Sequence, residues 1–539
     1  MSEGDAPLPV PLVGSAVAGM LSAALALGIG ELAAGISNRL ESFVVAVAGV
    51  IIDGAPGGVV RASIETLGTA QKTMLLVGVT LGTLGVGVLA GFAARRSPTL
   101  AVALFVVFGS LGAWAVSREP LTSTGLSWLV GGVAATAGAI TLVRAPLGIV
   151  RTDSDREDPR NTYANRRQFL GWATGMSVAA GALTGVGRVM LADGSVGKAR
   201  DRIVLPDPVR IDLPTTTTGP TTTTGPTTTT GPTTTNSSSP ARTIEATGLS
   251  PYLTPNEIFY RIDTALSVPM IDPATWSLSI EGLVAEPYRL GFDDLLTMDL
   301  VEHTVTLCCV SNEVGGSLVG NATWTGVPLE KVLQRARPLP QAEQVMARSV
   351  GGFTAGFPLG HVSDGRTALL AVGMNGEPLP IVHGFPARLV VAGLYGYVSA
   401  VKWLERIRLT TWENNDGYWI PRGWAKEAPI KIASRIDVPR GGPMAAGTQP
   451  VAGVAWSPMS GVARVEVSVN GGPWQACELG KTAGGEAWVQ WLFRWAAEPG
   501  RHSIVVRAIG NDGIVQPSVP VDPAPDGAEG HHSVSVTVT

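Results

Sequence analysis

Four long apolar stretches, at about 9–36, 70–93, 98–117 and 123–143, and a fifth at about 169–190, dominate the first 200 of 539 residues. Each is close to the roughly 20 residues that an α-helix needs to cross about 30 Å of hydrocarbon. Composition agrees: hydrophobic residues make up 45% of the chain and charged residues 15%, against roughly 25% charged in an ordinary globular domain. This part of the chain therefore reads as a transmembrane helical bundle. The run Phe43 to Ile52 is too short to span, is broken by Asp53-Gly54-Ala55-Pro56, and reads as interfacial or re-entrant.

Loop charges give an orientation. With the N-terminus inside, the inner loops hold Arg95, Arg96, Arg144, Arg151, Arg156, Arg160, Arg166 and Arg167. The outer loops hold only Arg39, Arg61, Lys72 and Arg118. Eight positive residues against four satisfy the positive-inside rule, and five spans then place the rest of the chain outside the cytoplasm. The fifth span opens with Asn165-Arg166-Arg167-Gln168-Phe169-Leu170, which resembles a twin-arginine export signal. Two arginines anchoring a helix at the cytoplasmic surface would leave the same trace.

Residues 192–247 form a linker centred on three Thr-Thr-Thr-Thr-Gly-Pro units from Thr215 to Pro232. So few apolar side chains cannot offset the entropy of ordering, which predicts an extended tether. From 248 onward short strand-like runs, Trp276–Ile280, His303–Leu307 and Ala387–Val391, alternate with turns and short helical segments, an α+β pattern. Beyond about 425 the pattern is almost purely β: Gly461–Val469, then Asn470-Gly471, Trp488–Trp495, His502–Ile509 and His532–Thr539. Asn-Gly between alternating runs is a strong hairpin signal, and the regular strand spacing points to an immunoglobulin-like sandwich.

Composition also excludes function classes. A net charge of −4 offers no basic face for nucleic acid. Three cysteines, Cys308, Cys309 and Cys477, make no disulfide framework, CxxC zinc pair or CxxCH haem site. Two constellations can still carry chemistry. In Thr306-Leu307-Cys308-Cys309-Val310-Ser311-Asn312-Glu313-Val314-Gly315-Gly316 a β run delivers a cysteine to a polar loop. A thiolate is a soft ligand for a redox metal, and alternation along a strand lets only one of the pair face a site; a buried cysteine is more often structural than ligating. The second constellation is Met374-Asn375-Gly376-Glu377-Pro378-Leu379-Pro380, His383-Gly384-Phe385-Pro386-Ala387-Arg388, Gly393-Leu394-Tyr395-Gly396 and Val401-Lys402-Trp403. Its His, Arg and Lys form either a cationic cradle for a phosphate-bearing cofactor or ordinary solvated turns. His303, His361, His502, His531 and His532 read as structural or surface residues.

Together, in this order, the motifs resemble the oxidoreductase molybdopterin-binding domain of the sulfite oxidase family over about 248–412. That family has Cys-x-x-Asn after a Thr-Leu strand, Met-Asn-Gly-x-Pro-Leu-Pro, His-Gly-x-Pro-x-Arg, and Gly-x-x-Gly leading to Val-Lys-Trp. The resemblance implies Cys309 as the molybdenum thiolate, with Cys308 its structural neighbour. It implies Asn312, His383, Arg388, Ser399 and Lys402 as cofactor-binding residues, with Ser399 and Lys402 at the phosphate end. The implied cofactor is molybdenum-molybdopterin and the implied reaction oxygen-atom transfer, with electrons passed to a separate carrier or respiratory-chain component.

Two departures bear on substrate. Family sulfite oxidases have Asn-Arg-Arg after the cysteine, where this chain has Asn312-Glu313-Val314; they have Leu-Ala-Tyr where it has Leu370-Ala371-Val372. Arg261, one register off a family arginine, and Arg366 are the nearest substitutes for the missing charge. The resulting expectation is a four-part chain: a transmembrane bundle at 1–191, the linker at 192–247, a molybdopterin-binding α+β domain at 248–415 and an immunoglobulin-like dimerisation-type domain at 416–539. Such a protein is a multi-pass cell-membrane enzyme with an extracytoplasmic catalytic domain acting on a small molecule. A sulfoxide-type reductase and a catalytically inactive surface binding protein are the alternatives. The resemblance suggests a homodimer through the C-terminal sandwich, while a five-span anchor favours a monomer.

Overall fold

A computed structural model describes the chain except residues 1–11, 38–39, 57, 60–62, 64–65, 68–69, 120–121, 147–158, 193–194, 210–243 and 414. Arg39, Arg61, Arg151, Arg156 and the Thr/Gly/Pro repeats of the linker lie outside the described residues. The chain divides into two compact units. One comprises 1–201 with 264–272 and 350–352; the other comprises 202–263, 273–349 and 353–539.

The first unit is helical: α1 (Leu12–Ile36), α2 (Phe43–Gly54), α3 (Gln71–Ala94), α4 (Pro98–Ser117), α5 (Thr124–Val143) and α6 (Pro159–Ala192). Within a few residues of the hydropathy-based spans, five helices among the described residues are long and apolar enough to cross a membrane: α1, α3, α4, α5 and the Arg167–Met190 part of α6. α2, the expected interfacial run, has 12 residues and is capped by the Ser42 hydroxyl, which accepts from the Val45 amide. α6 starts before the twin arginines rather than after them. Without a solvent to drive apolar faces together, helices in this class associate by close backbone approach at small residues. α1 and α3 do so at Gly19, Gly87 and Gly91: a β-carbon on Gly91 would stand 2.0 Å from the Ser15 carbonyl oxygen.

The second unit carries the site. Its first part contains β1 (Ser277–Gly282), β2 (Tyr288–Gly291), β3 (Val301–Cys308), β4 (Val319–Pro328), β5 (Gln344–Ser349), β6 (Thr354–Pro358), β7 (Ala368–Met374), β8 (Glu377–Pro378), β9 (Arg388–Val391) and β10 (Leu404–Thr410). They make two sheets. One runs β2-β1-β10-β5-β6; the other runs β3-β4-β7-β8, with β9 also paired to β7. β7 is buried along its whole length, which explains its unbroken apolar sequence Ala-Leu-Leu-Ala-Val-Gly-Met. β3 and β4 pair antiparallel with Cys308 opposite Val319, so the loop between them begins at Cys309.

The second part is all β: β11 (Ala433–Val438), β12 (Gly442–Met444), β13 (Gly447–Trp456), β14 (Val462–Val469), β15 (Gln475–Ala476), β16 (Glu478–Leu479), β17 (Val489–Ala497), β18 (Gly500–Gly510) and β19 (His532–Val538). Two sheets, β11-β13-β17-β16 and β12-β19-β18-β14-β15, enclose one core that includes Val451, Val465, Trp491, Trp495, Ile504 and Val536. The Asn470-Gly471 pair lies between β14 and β15 with φ of 54° and 70°, the left-handed pair of a type I′ turn. Trp491 is fully buried, and its indole N–H has no protein partner. Trp491→Ala should cost about 3–5 kcal/mol through lost burial and a cavity. Trp491→Phe, which keeps most of the contact and removes the unpartnered donor, should cost less than half of that; denaturant unfolding of both variants checks it.

Candidate active site

Cys308 and Cys309 divide as strand alternation requires. Cys308 is buried, with its thiol directed at the Cys309 carbonyl (3.4 Å), while Cys309 is partly exposed at the mouth of the loop. The loop closes on itself. The Cys309 amide donates to the Leu318 carbonyl (2.9 Å), the Asn312 amide to the Cys309 carbonyl (3.0 Å) and the Gly316 amide to the Glu313 carbonyl (2.9 Å). Asn312 is buried, and its side-chain oxygen accepts from the Leu318 amide (2.7 Å). It therefore shapes the loop that presents the sulfur. Burial pushes the Cys309 thiol up, and the Ser311 amide and hydroxyl, donating to the sulfur, oppose that rise.

The cationic residues of the second constellation come together and are buried: His383, Arg388 and Lys402 are 3%, 5% and 8% exposed. The solvated-turn reading is thereby excluded for all three. His383 ends a 3-10 turn, Arg388 starts β9, and Gly384 lies between them at φ 113°. A β-carbon on Gly384 would stand 3.0–3.1 Å from the β-carbons of Lys402 and Arg388, so the His-Gly step needs glycine to bring these residues close. Arg388 donates to the carbonyls of His383 (3.1 Å) and Leu389 (3.3 Å) and lies over the Trp324 ring at 4.9 Å. Lys402 donates to the Asp263 carboxylate (2.7 Å) and the Val382 carbonyl (3.3 Å). Burial holds Arg388 down at about 10 and Lys402 at about 8, the latter opposed by Asp263. His383 is held at about 4, chiefly by burial and further by the charges of Arg388, Lys402 and Arg261. Its ring Nε2 lies 2.9 Å from the Asn256 carbonyl, and since a carbonyl only accepts, Nε2 carries the proton and Nδ1 is the free acceptor.

Ser399 is fully buried, and its hydroxyl donates to the carbonyls of its own turn, Leu394 and Tyr395. Of the substitute arginines, Arg261 pairs with Asp263 (2.9 Å). Arg366 is held by Asp364 and the Ala392 carbonyl. Val372, at the tyrosine's place in the motif, is fully buried in β7.

Sequence reasoning missed two residues. Tyr260 lies where Cys308, Cys309 and Arg388 all act on its phenol. Burial and then the two sulfurs raise it well above 10, which keeps it protonated. The aromatic pair Phe259-Tyr260 beside Arg261 was its only signal. Asn256 is the other. Asn375, at φ 52°, donates to the Thr254 carbonyl and the Asn256 side chain (both 2.9 Å) and accepts from the Thr323 amide. The Met-Asn-Gly motif thus fastens residues 254–256 to β4 and sets the carbonyl that His383 meets. No single-residue pattern announces an interaction across more than a hundred positions.

The arrangement fits a phosphate-bearing metal chelate. Among the described residues no three His, Cys, Asp or Glu side chains group as a metal site. Arg261 and Lys402 pair with the Asp263 carboxylate, while the buried Arg388 meets the His383 and Leu389 carbonyls and the Trp324 face, a setting that favours an anionic group.

Residues 265–419 match the oxidoreductase molybdopterin binding domain. The chain is 31% identical over 316 residues to the mitochondrial sulfite oxidase of Macaca fascicularis, covering 49% of this chain and 57% of that one. It is 36% identical over 153 residues to the uncharacterized oxidoreductase YuiH of Bacillus subtilis, covering 28% of this chain and 74% of that one. With the sulfite oxidase of Gallus gallus it shares 30% identity over 317 residues, 49% of this chain and 68% of that one. The chain spans a little over half the length of the mammalian relatives it matches. Identity of this extent over two thirds of an animal sulfite oxidase, together with the molybdopterin-binding match over 265–419, makes the chain a member of the sulfite oxidase family.

Proposed function

We propose that the chain is a membrane-anchored molybdopterin-dependent oxidoreductase that transfers an oxygen atom at a molybdenum ligated by Cys309. The observation that carries this reading is that the cysteine loop and the buried cations meet at one residue: Cys309 and Arg388 both act on the Tyr260 phenol, and His383 and Lys402 lie buried with Arg388. When bound, the cofactor supplies the two-electron molybdenum couple, Mo(VI) and Mo(IV). The chain's own residues do the rest. Ser311 stabilises the Cys309 thiolate against burial, Asn312 fixes the loop, and His383 and Arg388 hold the pterin. Lys402 neutralises the phosphate end, with Ser399 buried in the turn beside it. The protonated Tyr260 phenol is a donor on the cysteine's side of the site and takes the part of the tyrosine that Val372 replaces.

The five apolar helices support an anchor in the cell membrane. The inner-loop arginines and the Arg166-Arg167 motif support a catalytic domain outside the cytoplasm, delivered by twin-arginine export. The Thr/Pro-rich composition of the 192–247 stretch supports its serving as the tether. The sandwich from 416 onward serves as the immunoglobulin-like, dimerisation-type domain. Electrons pass to or from a separate carrier or a respiratory-chain component.

A second reading concerns substrate: a neutral, oxygen-bearing group such as a sulfoxide, reduced rather than oxidised. It is favoured because Arg261 and Arg366 are already committed to Asp263 and Asp364, and Val314 stands at the place of the arginine that helps bind the oxyanion. In parallel dye-linked assays, turnover of a sulfoxide at least tenfold above that of sulfite is the expected result; turnover of sulfite alone dismisses this reading.

Elemental mass spectrometry of the purified full-length protein should give about one molybdenum per chain, and Cys309→Ala should lose turnover by at least a hundredfold while retaining much of the metal. A folded parent without molybdenum, from a host that makes the cofactor, would favour an inactive surface binding protein. His383 adds a pH signature. In the unfolded chain it protonates below about 6.5, whereas the folded site resists until about 4. Between those values the unfolded state binds more protons, so stability falls as pH falls, by on the order of 3 kcal/mol at most. Thermal unfolding of His383→Gln should show a correspondingly flatter decline between pH 6.5 and 4.

A further inference from the structure

The Cys309 loop does not rest on the catalytic sheets alone. Its outer turn, Glu313 to Gly316, lies against the C-terminal sandwich within the same unit. Arg435, on β11, directs one guanidinium nitrogen, Nη1, at the Gly316 carbonyl (2.8 Å). Its Nε donates to Asp437 (2.7 Å) and its Nη2 to the Ser250 hydroxyl (2.9 Å). Asp437 in turn accepts from the Ser250 amide (3.0 Å). Arg435 and Asp437 are 9% and 5% exposed, so this is a buried and fully partnered guanidinium. Beside it His532, on β19, accepts from the Ile436 amide through Nδ1 (2.9 Å) and lays its ring against Gly315. A β-carbon on Gly315 would stand 2.2–2.4 Å from that ring, and Gly315 adopts φ 78°. The loop is thus gripped from one side by its own hydrogen bonds and from the other by two residues of a different fold element.

We propose that Arg435 is a positioning residue for the molybdenum thiolate, fixing where the Cys309 sulfur is presented by holding Gly316, with His532 as the packing surface behind it. The sandwich then has a role in the reaction centre in addition to any role in association. The inference rests on Cys309 being the molybdenum ligand. Its physical basis is the fork of the guanidinium: three donors reach three partners on three segments, and a lysine ammonium at the end of a flexible stem cannot satisfy all three in one geometry. Outer partners of metal ligands typically change activity by about 10–100-fold when lost, because they set ligand orientation rather than metal binding alone.

The test uses the full-length, cofactor-loaded protein and reads the paramagnetic Mo(V) signal beside molybdenum content. Arg435→Lys keeps the charge and is expected to load molybdenum like the parent. Its Mo(V) signal should shift or split into several species, and kcat should fall about tenfold with KM nearly unchanged. A loaded Arg435→Lys whose signal and kcat match the parent's overturns the inference. Should Arg435→Lys fail to fold, Ser250→Ala decides. It removes one contact of the same guanidinium and leaves the rest, so an altered Mo(V) signal supports the inference and an unaltered one overturns it. A parent with molybdenum whose signal is indifferent to Cys309→Ala would end the ligand reading first, and the inference with it. A signal that responds to Cys309 but not to Arg435 or Ser250 ends the inference alone.

Discussion

Arg388 and Lys402 are buried within fifteen residues of one another, and each lowers the proton affinity of its neighbourhood. Taking one such cation out of water costs several kcal/mol unless partners replace the hydration. The catalytic half of the second unit is arranged around meeting that cost. Carbonyls of Val382, His383 and Leu389, the face of Trp324, the ring of Trp403 and the carboxylate of Asp263 all turn toward these two charges. Asp263 is shared between Lys402 and Arg261, and Arg388 is met by carbonyls and a ring face rather than by a carboxylate. On the proposed reading the phosphate end of the cofactor lies against these cations, and the site works as a receptor for an anionic chelate rather than as a set of catalytic side chains.

The thiolate poses the opposite problem. Burial disfavours its charged form, and the chain answers with two donors from Ser311 and a loop whose every turn is hydrogen-bonded. Contacts from β3, β4 and the C-terminal sandwich together hold that loop. In the helical unit the constraint is different. Its helices have no polar face to bury, and they approach through Gly19, Gly87 and Gly91 instead.

How much of this was legible in the sequence follows from the range of each interaction. Hydropathy located five apolar helices to within a few residues, because a span is a local property of about twenty consecutive side chains. Alternation located β3, β9, β14, β17, β18 and β19, and the Asn470-Gly471 turn, for the same reason. Cys309 was distinguishable from Cys308 by alternation and by the family's spacing to Asn312. The roles of the motif residues were less legible. Asn312 closes a loop, Ser399 bonds its own turn, and Asn375 acts through Asn256 some 119 positions away. Arg435 carried no motif and Tyr260 only its place beside Arg261, since the partners that give them meaning, Gly316 and the two sulfurs, are brought to them by the tertiary fold.

The central claim is that Cys309 donates its sulfur to a molybdenum held by this chain. X-ray absorption at the molybdenum edge, on the full-length protein and on Cys309→Ala, tests it most directly. One more sulfur neighbour around the metal is expected in the parent than in the variant. Equal sulfur coordination in both would contradict it, and would leave Cys309 as a loop residue beside a cofactor bound without it.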